Sequence, residues 1–275
     1  MYSYRGISHQ LMSDYAARKI DFDFKVDGDL NKSVWADATW SKPFVDMASG
    51  EPAEFETRSS ILWSVERLYV AFRAEEPNIQ AALTERDSLI FLENDLELFI
   101  DGGDAYYELE LNALNTIYEV FFIWRDSYPN PSKFPVERFD IASPDSYTFG
   151  GDYDRSGAYF WRGTHPRGTR WAFRGFDMPG LETAVSLQGT LNDPLSVDEG
   201  WSAEIWIPWG SLAPLANGRN LPPSPGDIWK LFLGRFDKKM VGGEEVSPHP
   251  ASSLRPHGVY DTHQPEEWSE ISFEL

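Results

Sequence analysis

The residues of this sequence best able to do chemistry lie in Asn94-Asp95-Leu96-Glu97-Leu98-Phe99-Ile100-Asp101, a Gly102-Gly103-Asp104 turn, and Tyr106-Tyr107-Glu108-Leu109-Glu110-Leu111-Asn112. Strand alternation sends Leu96, Leu98 and Ile100 to one face and Asp95, Glu97, Phe99 and Asp101 to the other. The second run sets Glu108, Glu110 and Asn112 opposite Tyr107, Leu109 and Leu111. Paired as a hairpin, the two runs gather as many as six polar groups on one sheet face. Like charges facing each other across strands destabilise a sheet, so keeping them calls for a cation, an arginine or a ligand. A plainly solvated face is the alternative. Carboxylates and amides so grouped accept hydrogen bonds from sugar hydroxyls, and Asn115 follows close behind as a further contact. The same acids could instead divide the acid and nucleophile or base roles of a glycoside hydrolase, with Glu97 paired to Glu108 or Glu110.

A sugar site also needs an apolar platform for the CH face of the ring. Aromatic residues make up 15% of the chain, with 11 Trp, more than a core of this size requires. Trp124, Trp161 and Trp171 are the candidates. Trp35, Trp40, Trp63, Trp201, Trp206, Trp209 and Trp229 fall within or beside strand and helical-turn patterns and read as core or edge packing; Trp268 fits either use.

Short apolar or alternating runs separated by turn residues must position these groups, the pattern of an all-β sandwich of about ten strands. The expected strands are 21–26, 58–63, 68–74, 95–101, 106–112, 117–124, 182–187, 201–207, 228–236 and 268–273. Short helical turns are expected in 31–36 and 210–215. Residues 1–20 read as an N-terminal arm, and 21–275 as one sandwich domain interrupted by an insertion at 126–180. A structureless stretch of that length inside a compact domain is unusual. Its Phe134, Phe139, Tyr147, Phe149, Tyr153, Tyr159, Phe160, Trp161 and Trp171 are expected to form a satellite cluster or one wall of a site.

With 24 basic and 44 acidic residues the net charge is −20, a field that repels phosphate backbones and anionic lipid. Neither nucleic acid nor a membrane surface is therefore expected as a partner. Excess carboxylate can bind calcium, and Asp101 with Asp104 at the hairpin tip are the candidate ligands, with Asp27 and Asp29 a second cluster. The absence of cysteine excludes disulfides and thiolate metal sites. His9, His165, His249, His257 and His263 lack the spacing of a transition-metal motif. No basic stretch followed by an apolar one opens the chain, which reads as cytoplasmic as given, or extracellular if a leader was removed.

In its ordered motifs the sequence resembles the family 9 carbohydrate-binding modules and the longer single-domain proteins similar to them. These motifs are Val34-Trp35-Ala36 with Trp40, Leu62-Trp63 with Leu68-Tyr69-Val70-Ala71-Phe72, and the 94–101 and 107–112 runs with Asn115-Thr116. Gly189-Thr190-Leu191-Asn192, Gly200-Trp201-Ser202-Ala203-Glu204-Ile205-Trp206-Ile207-Pro208-Trp209 and Gly226-Asp227-Ile228-Trp229 continue the series. The resemblance implies an antiparallel sandwich of jelly-roll type that binds oligo- or polysaccharide, in the best-known members at chain ends, with structural calcium. It makes Glu97 the position of a sugar-binding carboxylate. One of the family's two facing tryptophans falls near Phe91 or Leu92, and its binding arginine falls at Glu110. A different sugar, or a site rebuilt from 126–180, would accommodate those departures.

Overall fold

The computed structural model describes residues 13–151, 163–238, 240–241, 244–245 and 250–275. The chain is all-β. Its strands are β1 (Tyr15–Lys19), β2 (Val45–Asp46), β3 (Thr57–Trp63), β4 (Arg67–Glu75), β5 (Asp95–Asp101), β6 (Ala105–Leu111), β7 (Ile117–Trp124) and β8 (Ser146–Phe149). They continue as β9 (Arg170–Phe173), β10 (Glu182–Gln188), β11 (Gly200–Pro208), β12 (Ile228–Phe236), β13 (Met240–Val241), β14 (Glu244–Glu245), β15 (Ala251–Ser253) and β16 (Ser269–Glu274). Among the described residues helix is confined to α1 (Ser33–Ala36), α2 (Ala213–Ala216) and three 3₁₀ turns.

Fourteen strands join in one sheet along the path β10-β11-β4-β3-β1-β16-β12-β5-β6-β7-β9-β8, with β15 and β2 branching from β12, while β13 and β14 pair separately. Both ends of the path feed one apolar core. Ile61, Val70, Phe72, Trp201 and Ile205 come from one end, and Leu98, Leu109, Phe121, Leu231 and Ile271 from the other. Period-two alternation supplies this face, and the strands it marks most strongly, β5, β7 and β12, have the expected bounds.

Two differences concern the start of the chain. Tyr15–Lys19, expected to be part of an arm, is a strand held parallel between β16 and β3. Residues 21–26, expected to be a strand, are not one. They follow the sheet by side-chain contacts instead: Phe24 stacks on Tyr69 at 4.4 Å and meets Trp35 edge-on at 5.6 Å. Asp23 Oδ1 accepts hydrogen bonds from the hydroxyls of Ser64 (2.6 Å) and Tyr69 (2.8 Å). The alternation is real, but a face already covered by Trp35 offers side-chain partners rather than a free strand edge.

Within 126–180, β8 and β9 form a hairpin that extends the sheet beyond β7. Phe134 and Phe139 join the main core. Tyr153, Tyr159, Phe160 and Trp161 lie outside the described residues.

Candidate functional site

Register fixes which side chains share the face opposite the core. Glu97 lies opposite Glu110 on β6 and Gly234 on β12, Phe99 opposite Glu108 and Phe232, and Asp95 opposite Phe236. Next along the sheet, Tyr118 lies opposite Glu110, Val120 opposite Glu108 and Phe122 opposite Tyr106. Ala172 and Tyr147, then Arg170 and Phe149, complete these rows on β9 and β8. This face is not solvated. A second apolar cluster covers it, with Met47, Ile90, Ala251, Tyr260 and Trp268 closing over Phe99, Tyr106, Phe122 and Phe232. Asp95, Glu97, Glu108 and Glu110 are consequently all buried.

A cleft of about 510 Å³ opens onto these acids. Glu97, Glu108 and Glu110 line it, with Tyr118, Phe122, Phe236 and His263 beside them. Phe91, Tyr147, Phe149 and Arg174 form its other walls. Phe91 and Tyr147 are each 39% exposed, whereas Tyr118 and Phe122 are buried. The volume is within the range of small-molecule sites. Gly234 makes room beside Glu97: a Cβ there would come within 2.3 Å of the Phe232 ring.

Burial pushes the carboxyls of Asp95, Glu97 and Glu110 well above the usual range, and mutual repulsion adds to it. Burial raises Glu108 to about 7, opposed by its hydrogen bond with Glu110 and by the Arg170 charge. His263 is held neutral, mainly by burial, and its Nδ1 lies 3.0 Å from the Tyr106 hydroxyl.

A carboxyl raised in the folded state binds its proton more tightly there than in the unfolded chain, so stability declines as pH rises through the interval between the two values. For Glu108 that interval runs from its ordinary 4.5 to about 7. Melting in chelator-treated buffer is therefore expected to occur roughly 5 °C lower at pH 8 than at pH 5. A flat or rising profile across that interval would contradict the arrangement.

No protein-family model matches the sequence, and no curated protein matches it. Among solved structures, a candidate carbohydrate-binding protein from Bacteroides uniformis aligns over 94% of this chain and 98% of its own, at 14% identity and a TM-score of 0.56. A family 9 carbohydrate-binding module from Caldicellulosiruptor kristjanssonii, solved with cellotriose and with glucose, covers the same 94% at 12% identity and a TM-score of 0.51. Those alignments span 93% and 95% of the module's own chain. What the chains share is the fold.

On the fold it shares with these modules, the chain brings Glu97, Glu108 and Glu110 together with Asp95, all on the face the alternation implied. Asn112 shares their face but not the cleft. Its Oδ1 accepts the N–H groups of Leu114 and Thr116, and its Nδ2 donates to Leu83 O and Glu93, so it is consumed in building the turn. Asn115 occupies a left-handed position (φ 61°) in that turn and donates to Thr183 O.

Neither of the two described candidate tryptophans lines the cleft. Trp124 is buried, with Arg170 and Arg167 over its ring at 4.6 and 5.0 Å and His165 at 4.5 Å. Trp171 lies beside Ile123 on the opposite face and packs against the main core. Trp161 lies outside the described residues. Trp268 is core.

Phe91 and Tyr147 are the exposed rings of the cleft: Tyr147 belongs to the aromatic set expected in a satellite cluster or one wall of a site, and Phe91 lies near the position where the family resemblance expects a tryptophan. The β6–β7 register would have exposed the role of Tyr118, since it falls opposite Glu110. Asp101 and Asp104 belong to no cluster of three metal-ligating side chains among the described residues. Asp104 is bound by Lys133 (2.9 Å) and Ser127 (3.1 Å), and the Lys133 hydrogen bond holds its carboxyl below the usual range. Asp101 Oδ1 accepts the Gly103 N–H at 2.8 Å.

Proposed function

We propose that this protein binds a carbohydrate, an oligo- or polysaccharide segment, in the cleft above β5, β6 and β7. The observation that carries the proposal is the meeting of three carboxyls, Glu97, Glu108 and Glu110, with the exposed rings of Phe91 and Tyr147 in one cleft of sugar-binding size. Carboxyls satisfy hydroxyls, and the rings take the CH faces. The solved modules of the same fold hold cellotriose and glucose, which supports the same ligand class. The family resemblance expects a tryptophan near Phe91 or Leu92, and of these two Phe91 lines the cleft with a smaller ring. Chain-end binding agrees with a bounded cleft rather than a long open groove.

Glycoside hydrolysis has less support. A hydrolytic pair flanks the scissile bond from opposite sides, whereas these acids all rise from one face of two adjacent strands.

Calorimetry against neutral and acidic oligosaccharides tests the reading. A saturable ligand is expected, with affinity reduced roughly 10-fold in Tyr147→Ala through loss of the stacked ring. Silence across the whole panel would overturn it.

A further inference from the structure

We propose that Asp95, Glu97 and Glu110 hold a calcium ion at the floor of the cleft, and that sugar hydroxyls complete its coordination; the second half rests on the carbohydrate reading above. Each of the three residues offers a carboxylate oxygen, and these oxygens lie within 4.8 Å of one another. Two oxygens on opposite sides of a calcium ion, with bonds of 2.3–2.6 Å, span about that distance.

The acids are only partly compensated: Asp95 Oδ1 accepts the Phe236 N–H at 3.2 Å, and Glu110 shares a hydrogen bond with Glu108. Asp95 Oδ2, Glu97 Oε2 and Glu110 Oε2 are buried without a hydrogen-bond partner. Glu108 enters from outside the triad, on the same face of β6, only 4% exposed and with its own Oε2 unpartnered. Among the described residues no lysine or arginine nitrogen comes within 4 Å of any of the four; the nearest basic group is the neutral His263, with Nε2 3.9 Å from Glu108.

Elsewhere the fold treats buried glutamates differently. Glu76 is met by Arg235 at 3.3 Å, Glu204 by Lys32, and Glu119 by Arg86. A buried charge without a partner is costly, and a cation removes that cost. The donors are all hard oxygens, which suits calcium better than softer metals. Three protein ligands leave positions open toward the cleft, where an adjacent pair of sugar hydroxyls can enter. Asp95 sits behind the cleft wall and Glu97 and Glu110 on it, so the open positions point outward.

The test uses the full chain stripped with chelator and titrated with calcium chloride alone. One calcium per chain is expected. Glu110→Gln should weaken binding about 100-fold or more through loss of a charged ligand, while Asp104→Asn leaves it within about twofold. Glu110→Gln removes repulsion, so it should melt no lower than the parent in chelator, which separates ligand loss from misfolding. No calcium binding by the parent, equal binding by Glu110→Gln, magnesium binding as tight as calcium, or loss in Asp104→Asn would each overturn the site. Oligosaccharide titrations with calcium and with chelator then test the bridge. A fall of about 10-fold or more in chelator supports it, and equal affinities overturn it while leaving the carbohydrate reading intact. Calcium binding with no sugar binding would sink the carbohydrate reading and leave the metal site standing.

Discussion

Glu97→Gln is expected to melt several degrees higher than the parent in chelator and yet to bind oligosaccharide about 100-fold more weakly. Both results come from one position. Glu97 faces Glu110 across the β5–β6 ladder, with its Oε2 unpartnered, in a setting where burial, Asp95 and Glu108 all disfavour its charge. An amide of the same shape removes the repulsion and keeps the packing. It also removes the charged acceptor, and a hydrogen bond to a charged group is worth about 1.5–3 kcal/mol. Opposite movement of stability and affinity is the signature of a group kept for binding at the fold's expense. A variant that lost both would mark Glu97 as a structural residue. Thermal melting and calorimetry on one preparation decide between these outcomes.

The other large effect concerns the fold. Arg235→Leu is expected to cost about 3–5 kcal/mol, the usual consequence of stripping the partner from a buried charge, and to lower the melting temperature by about 10 °C or more. Arg235 is 1% exposed and projects from β12 on the core side. It donates to Glu75 O at 2.6 Å and to Thr57 Oγ1 at 3.2 Å, and pairs with Glu76. Glu76 in turn accepts Trp201 Nε1 at 2.6 Å and Asn94 Nδ2 at 2.8 Å. The pair thus ties β12 to the end of β4 and fixes the residue immediately before Asp95. In a double variant with Glu76→Gln the loss should be well below the sum of the single losses, because the stranded charge has gone. Additive losses would mean that the two residues act independently.

The hairpin was legible because both of its strands alternate strictly, and side-chain direction follows from period two whatever the register. Burial of the acids was not legible. Their cover comes from Met47, Tyr260 and Trp268, all far away in sequence, the first two in segments with no period of their own. Asn112 follows the alternation, but an amide beside a turn has local backbone donors within reach and spends itself on them. The platform was sought among tryptophans on chemical grounds. In β7 both faces are apolar apart from Glu119, so composition alone does not say that Tyr118 and Phe122 face the acids. The strand β1 was missed because its pairing is parallel and with residues distant in sequence, which leaves no turn signal beside it.

The placement of β1 also bears on how the protein is made. Its two-residue register with β3, Arg18 to Leu62 and Lys19 to Trp63, can form early, but its four-residue register with β16 needs Ile271 to Glu274. Until those residues emerge, the β10-β11-β4-β3 group and the β12-β5-β6-β7 group lack the β1–β16 seam and are tied instead by segment 41–47 with β15 and by Arg235. At ordinary translation rates the interval between the completion of β12 and that of β16 lasts on the order of several seconds. Throughout it, β12 keeps an open edge along Ile228–Leu231, the feature by which unfinished chains capture one another. A nascent chain of this protein is therefore expected to depend on chaperone cover until its last strand is delivered.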